Sequence, residues 1–269
     1  MTDHGVSPLV PLFAGRTANE AWLAAAKQFA SGRGGAQPSR AGQTRELLHS
    51  VFAIGDPRQR WVAARRPALN PAFAIAETLW LILGRDEAAF PNYWNPKLPS
   101  FSGKTRTYRG AYGRRLRKSW GLDQLRRAAQ VLERVPESRQ VVLQIWHPAE
   151  DLPLANGAPR RQDIPCNLSS LLKVRGGLLE WTQILRSNDL FLGVPHNFVQ
   201  FTTLQEIVAG WLGLGLGQYT HFSDSLHVYD RDLPAVKKAG VARVLVNDDS
   251  LALPWKDSMR VLTSLWRRA

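Results

Sequence analysis

The chain has a single cysteine, Cys166, set in Pro165-Cys166-Asn167, and this thiol is the first candidate for chemistry. A lone cysteine cannot form an internal disulfide, and with six histidines and no partner at ligand spacing it carries no zinc signature. It is therefore either an inert buried thiol or a nucleophile. Polar clusters follow it at Arg186-Ser187-Asn188-Asp189, at Leu192-Gly193-Val194-Pro195-His196-Asn197 and at His227-Val228-Tyr229. Upstream, Glu77 sits in the middle of an apolar run. A carboxylate held in an apolar helix costs on the order of several kcal/mol unless it is paired, hydrogen-bonded or protonated. A buried ion pair and a catalytic carboxylate both meet that condition, and periodicity alone does not choose between them. Gly213-Leu214-Gly215-Leu216-Gly217 has the outline of a dinucleotide fingerprint, but it ends a helix instead of joining a strand to one, so the phosphate-cradling geometry is missing.

These residues need a scaffold, and the apolar spacing supplies one. After an irregular segment over 1–16, Thr17 precedes Trp22, Leu23, Ala26 and Phe29 at helical spacing, which predicts a capped amphipathic helix over 17–30. Ser31-Gly32-Arg33-Gly34-Gly35 is a flexible break, after which Arg40-Ala41-Gly42 leads into a strand region ending at Ile54. Asn70-Pro71 predicts a cap with proline in the first turn of a buried helix that carries Glu77, runs to Leu83 and stops at Gly84. Leu122 to Val135 patterns as a helix, and Val141 to Trp146 and Leu178 to Ile184 pattern as strands. From Asn197 onward, Phe198, Phe201, Leu204, Val208, Trp211 and Leu212 predict a long core helix ending at Gly213. Strands mixed with long helices, without an internal repeat, indicate an α+β fold.

Composition sets the outer bounds. With 269 residues, 44% of them hydrophobic, the chain can bury a substantial core as a single domain over 1–269. No apolar run is long enough to cross a bilayer, and the opening Met1-Thr2-Asp3-His4-Gly5 lacks the basic start of a signal peptide, so a soluble cytoplasmic protein without membrane contact is expected. The 35 Lys and Arg against 22 Asp and Glu give a formal charge of +13, which points to phosphorylated or polyanionic partners. The charge is spread over short clusters at Arg58 to Arg66, at Arg114, Arg115, Arg117 and Lys118, and at Arg267 and Arg268. Most of these belong to solvated faces.

Taken in order and spacing, Pro165-Cys166, Arg186-Ser187-x-Asp189, Leu192-Gly193-x-Pro195-x-Asn197 and His227-x-Tyr229 closely resemble the thymidylate synthase family. Ser39-Arg40-Ala41-Gly42, Glu77-Thr78-Leu79-Trp80, Tyr112-Gly113 and Ser138-Arg139 extend the resemblance along the chain. It implies a thymidylate-synthase-like sandwich with a large mixed sheet that dimerises as a homodimer through that sheet. It also implies transfer of a one-carbon unit from 5,10-methylenetetrahydrofolate to C5 of a pyrimidine nucleoside monophosphate. In that chemistry Cys166 adds to C6 and turns C5 into a carbon nucleophile. By the same resemblance Arg186 supports the thiolate and contacts phosphate, with Arg40, Ser187 and Arg139 of a second subunit completing the phosphate site. Asn197 reads the base and favours uracil, Asp189, His227 and Tyr229 orient base and ribose, Glu77 handles proton transfer at C4, and Tyr112 positions the thiol.

The chain also departs from the family. Asn167 stands where the family has histidine, Leu185 where it has glutamine, and Gln140 where it has the second of two arginines. Between Asn92 and Arg109 the tryptophan pair is missing, with Trp94 alone there, and the segment over 232–269 diverges, finishing Leu265-Trp266-Arg267-Arg268-Ala269 instead of in the family's folate-covering close. Those features exclude water from a methyl transfer, so their loss points to a 5-hydroxymethyl product, methylation being the family default. A nucleic-acid-binding protein on a catalytically inactive fold of this kind is the alternative; the net charge supports it, and no recognised binding motif does.

Overall fold

A computed structural model of the protein describes residues 10–240, 242 and 246–269. Strand β1 (Leu12–Gly15) leads into helix α1 (Ala18–Ala30), which opens on a capping box: the Thr17 hydroxyl accepts from the Glu20 N–H while the Glu20 carboxylate accepts from the Thr17 N–H. A hairpin follows, β2 (Gly35–Ser39) and β3 (Gly42–Ile54), turning at Arg40-Ala41. Two expectations are corrected here. The segment over 1–16 contains a strand, because Leu12 to Gly15 pair in parallel with Val51 to Ile54, a long-range partner that no local pattern announces. The glycine-rich break is shorter than expected, since Gly35 already pairs with Glu46. Residues 1–9 of the segment lie outside the described residues.

Helix α2 (Pro71–Ile82) starts at Asn70, whose side chain accepts from the Phe73 N–H, and Gly84 beyond its end takes the left-handed backbone (φ 66°). Short helices α3 (Ala89–Trp94), α4 (Leu98–Ser102) and α5 (Tyr112–Arg117) precede the amphipathic α6 (Gln124–Arg134), capped by Asp123. Then come β4 (Val142–Gln144), α7 (Pro148–Asp151), β5 (Asn167–Arg175), β6 (Leu178–Leu185), β7 (Asn188–Asp189), the long α8 (Val194–Leu212), β8 (Gly215–Tyr229), α9 (Leu233–Lys237) and α10 (Trp255–Trp266). Helix α8 begins three residues before Asn197, because Pro195 suits a first turn.

The main sheet runs β1-β3-β8-β6-β5-β4, with β2 beside β3 and β7 beside β8. It is mixed, as expected: β3 with β8, β6 with β5 and β5 with β4 are antiparallel, while β1 with β3 and β8 with β6 are parallel. One face holds the core, in which Trp22, Phe52, Trp181, Phe198, Phe201 and Tyr219 are fully buried. Helix α8 crosses that face buried on nearly every side, which its all-round apolar sequence requires. Its one buried carboxylate, Glu206, takes the guanidinium groups of Arg58 and Arg60. The alternation of the strands sends the neighbouring row Val51, Phe222 and Ile184 to the opposite face, where a single chain leaves them half-buried. Helix α10 packs on the far end of α8, with Trp255 edge-on to Trp211 at 4.4 Å. Among the described residues no helix is long and apolar enough to cross a membrane.

Candidate functional site

Cys166 immediately precedes β5 and Arg186 immediately follows β6, so the antiparallel pairing of these strands brings them together, with the Arg186 N–H donating to the Cys166 carbonyl at 3.0 Å. The guanidinium is aimed by the chain it crosses: Nε donates to the Pro165 carbonyl at 3.0 Å and Nη2 to the Ile164 carbonyl at 3.3 Å. Nη2 then lies 3.8 Å from Cys166 Sγ, a contact that strengthens as the sulfur takes on charge. Cys166 itself is only half-buried, open enough for a ligand to reach it.

Strand β7 carries Asp189 next to His227 of β8. Asp189 Oδ1 accepts from the N–H groups of Phe191 and Leu192 at 2.7 and 3.0 Å, forming the turn that starts α8 and leaving Oδ2 free of them. Burial pushes its carboxyl above the usual range despite those bonds. Ser187 Oγ stands 3.5 Å from His227 Nδ1. The turn is anchored to α1 by Trp22, whose indole N–H donates to the Leu190 carbonyl at 2.7 Å.

Asn197, in the first turns of α8, joins a chain of buried side chains. Its Oδ1 accepts from Asn167 Nδ2 at 3.3 Å and its Nδ2 donates to Asn188 Oδ1 at 3.1 Å. Asn167 Oδ1 in turn accepts from Gln183 Nε2 at 2.9 Å, and Asn188 Nδ2 donates to His221 Nε2 at 2.7 Å. Gly193 is required here, because a Cβ on it would stand 2.8 Å from Asn188 Oδ1.

On the facing side, Glu77 of α2 looks at His196 of α8, Oε2 to Nδ1 at 3.6 Å, too long for a direct hydrogen bond. Both atoms, with Gln200 Oε1 one turn further along α8, are buried without a hydrogen-bond partner. Burial pushes the Glu77 carboxyl up to about 7, opposed by the Gln200 amide, and pushes His196 down to about 4, with the charge of Arg65 adding to the effect. Tyr112 reaches the same region because Gly113 lets α5 touch α2; a Cβ at Gly113 would collide with the Leu81 carbonyl oxygen. Burial raises the Tyr112 phenol above its ordinary range, and the proximity of Cys166 adds to the rise.

The remaining candidates divide. Tyr229 stands across from Thr44, two residues from the turn of the β2–β3 hairpin, and Arg231 covers its ring at 4.1 Å while donating to the Ala41 carbonyl at 2.7 Å. Arg40, exposed in the two-residue turn, is therefore held near the Tyr229 end of β8. Arg139 is not brought to Cys166. It lines a cleft with Val174 and Arg175 at the other end of β5, and nine strand residues at ~3.3 Å each separate the two by about 30 Å. Asn167, Gln183, Asn188, His221 and His196 are the polar site members that the sequence reading did not single out. Gln183, the one polar residue in the buried row Leu179, Trp181, Gln183 and Leu185 of β6, was the visible signal. Among the described residues no group of His, Cys, Asp and Glu could hold a metal ion.

A half-exposed cysteine beside a guanidinium, faced by a buried amide relay and by a carboxyl displaced towards neutral pH, has the make-up of a nucleophile site for a planar, hydrogen-bonding ligand. The chain belongs to the thymidylate synthase family, whose model matches residues 59–261. It is similar to the deoxyuridylate hydroxymethyltransferase of Bacillus phage SP01, at 34% identity over 208 residues, covering 73% of this chain and 53% of the phage protein. The deoxyuridylate hydroxymethyltransferase of Pseudomonas phage M6 is 33% identical over 169 residues, 62% of this chain and 47% of that one. The thymidylate synthase of Symbiobacterium thermophilum is 33% identical over 179 residues, 60% of each. The matched region thus spans about half the length of the two phage relatives.

Proposed function

We propose that the chain transfers a one-carbon unit from 5,10-methylenetetrahydrofolate to C5 of a pyrimidine nucleoside monophosphate, dUMP foremost, through a bond between Cys166 Sγ and C6. The observation that carries this reading is the placement of Cys166 Sγ 3.8 Å from the Arg186 guanidinium, on the same pair of strands as the Asn167 amide that contacts Asn197. Sulfur attacks C6, the C5–C6 π electrons move towards C5 and O4, and C5 bonds to the one-carbon unit; loss of the C5 proton then breaks that unit's bond to the folate nitrogen and leaves a methylene on C5, to which water (hydroxymethyl product) or a hydride from the folate (methyl product) adds as expulsion of sulfur restores the ring. Asn197 reads O4 and N3–H, Glu77 exchanges protons at C4, and Tyr112 packs the thiol. Arg186, Ser187 and Arg40 take phosphate, and Asp189, His227 and Tyr229 orient the nucleoside.

The residues present fit a folate. Just ahead of Cys166 a cleft of about 540 Å³ is lined by Lys104, Arg109, Arg160 and Arg161, which suit an anionic tail, and Asp189 Oδ2 and Gln200 Oε1 are acceptors for a ring N–H edge. When bound, the folate supplies the one-carbon unit.

Of the two products, 5-hydroxymethyl is favoured. The partnerless Glu77 Oε2 and His196 Nδ1 are suited to holding a water, and phage relatives carry that name. Methylation is the second reading, favoured by the relative named thymidylate synthase. Product mass decides: addition of CH2O to dUMP without dihydrofolate formation supports the first, and addition of CH2 with dihydrofolate supports the second. Salt-sensitive DNA or RNA binding with no product would favour the nucleic-acid reading.

A homodimer completes the site in this account. The half-buried row Val51, Phe222 and Ile184 supplies an apolar sheet face, and Arg139, about 30 Å from its own Cys166 by ~3.3 Å per strand residue, is available to a partner's phosphate site. Mixing Arg139→Ala with Cys166→Ala chains should restore activity at about one quarter of the sites, since half of the dimers are mixed and each mixed dimer has one intact site. No recovery refutes the shared site.

A further inference from the structure

The buried polar chain that contains Asn197 has a direction, and one group fixes it. Gln183 Oε1 accepts from the Trp181 indole N–H at 3.1 Å and from Ser170 Oγ at 2.6 Å. An indole can only donate, so the Gln183 oxygen must face it, which turns Gln183 Nε2 to Asn167. Each later link follows. Asn167 must offer its nitrogen to Asn197, Asn197 its nitrogen to Asn188, and Asn188 its nitrogen to His221 Nε2 and Ser223 Oγ. His221 Nε2 is then an acceptor, so its proton sits on Nδ1, 2.9 Å from the Tyr219 hydroxyl. Burial pushes His221 down to about 3, in keeping with a neutral ring. The other end groups do not fix direction: Ser170 can turn its hydroxyl, and His221 can exchange tautomers. Only Trp181 cannot adapt.

We propose that Trp181, Gln183 and Asn167 are specificity-determining positioning residues, which hold the Asn197 amide in the one orientation that pairs with uracil and rejects cytosine. This rests on the reading above that Asn197 faces the pyrimidine. Asn197 spends one lone pair on Asn167 and one N–H on Asn188, leaving one acceptor and one donor for a base. In the fixed orientation these meet N3–H and O4. Cytosine presents the reverse pair, N3 and an amino group, and needs the amide turned over. Turning Asn197 alone sets oxygen against Asn188 Oδ1 and nitrogen against Asn167 Nδ2, and turning the whole chain sets Gln183 Nε2 against the indole N–H. Discrimination is thus determined three hydrogen bonds away from the group that touches the base.

The test uses Trp181→Phe, which keeps a packed aromatic ring and removes the donor, and Asn167→Asp at alkaline pH, where the new carboxylate only accepts and forces Asn197 to turn. Two readouts are taken: kcat/KM for C5 tritium release from dUMP against dCMP, and the tautomer of His221 by 15N NMR. Wild type should show Nδ1–H alone. Trp181→Phe should show both tautomers and a dUMP-to-dCMP ratio lowered at least about tenfold, or ~1.4 kcal/mol. Asn167→Asp should show Nε2–H and a preference moved towards dCMP. A variant that slows both substrates in parallel overturns the specificity role, and an unchanged His221 tautomer overturns the relay. Either variant decides if the other fails to fold. If wild type acts on no pyrimidine nucleotide, the proposed function fails, while the His221 tautomers still test the relay.

Discussion

Replacing Glu77 by Gln should abolish turnover and, above neutral pH, make the protein more stable. In the folded chain burial moves the Glu77 carboxyl from 4.5 to about 7. The folded form therefore keeps a proton that the unfolded form releases near pH 4.5, and wild type loses stability as pH rises from there through about 7. At ~1.4 kcal/mol per pH unit the loss is at most about 3 kcal/mol, and less in practice because the side chain is 21% exposed. Glu77→Gln retains size and hydrogen bonding without the ionisation. For a chain of this length ~2–4 °C per kcal/mol applies, so its melting temperature should exceed wild type by several degrees at about pH 8.5 and match it at about pH 5. His196, pushed down by burial, destabilises both proteins alike as pH falls through about 4 and cancels in the comparison. Thermal melts at the two pH values check this. A Glu77→Gln protein that is less stable than wild type at the higher pH would refute the reasoning, because it would mean the charged carboxylate is well paired in the fold.

Two other perturbations follow from the same geometry. Arg115, fully buried, grips buried Asp151 through both nitrogens at 2.6 and 2.9 Å; Arg115→Met leaves that carboxylate uncompensated and should cost about 3–5 kcal/mol in urea unfolding, mostly recovered in Arg115→Met/Asp151→Leu. Gly193→Ala puts a methyl 2.8 Å from Asn188 Oδ1. It should lower kcat/KM by roughly tenfold or more, through ~1–3 kcal/mol of overpacking beside Asn197, with Cys166 reactivity towards a small thiol reagent unchanged.

Much of the site was legible because its motifs are local. Pro165-Cys166, Arg186-Ser187, Asp189 and Asn197 sit at strand ends and at a helix start, where short spacings decide which side chains converge. The capped helices, α1 and α6 with one apolar face and α2 apolar on nearly all sides, were readable for the same reason. What escaped depends on distant partners. Strand β1 exists only because residues some 40 positions later offer a parallel edge, and the hairpin strand β2 only because β3 pairs with it. The amide relay draws on β5, β6, β7, β8 and α8, so Asn167 read only as a departure from a family pattern, and its link to Gln183 and Asn197 became visible when three elements were packed together. His196 was quoted as part of a motif without a role, because its partner Glu77 lies on another helix.

The most direct measurement is tritium release from [5-3H]dUMP in the presence of 5,10-methylenetetrahydrofolate, with Cys166 intact and with Cys166→Ala. Attack of Cys166 on C6 makes the C5 hydrogen exchangeable, so the intact protein should release tritium with turnover and the alanine variant none. Release that persists without the thiol, or no release by the intact protein from dUMP, UMP, dCMP or CMP, would contradict the account.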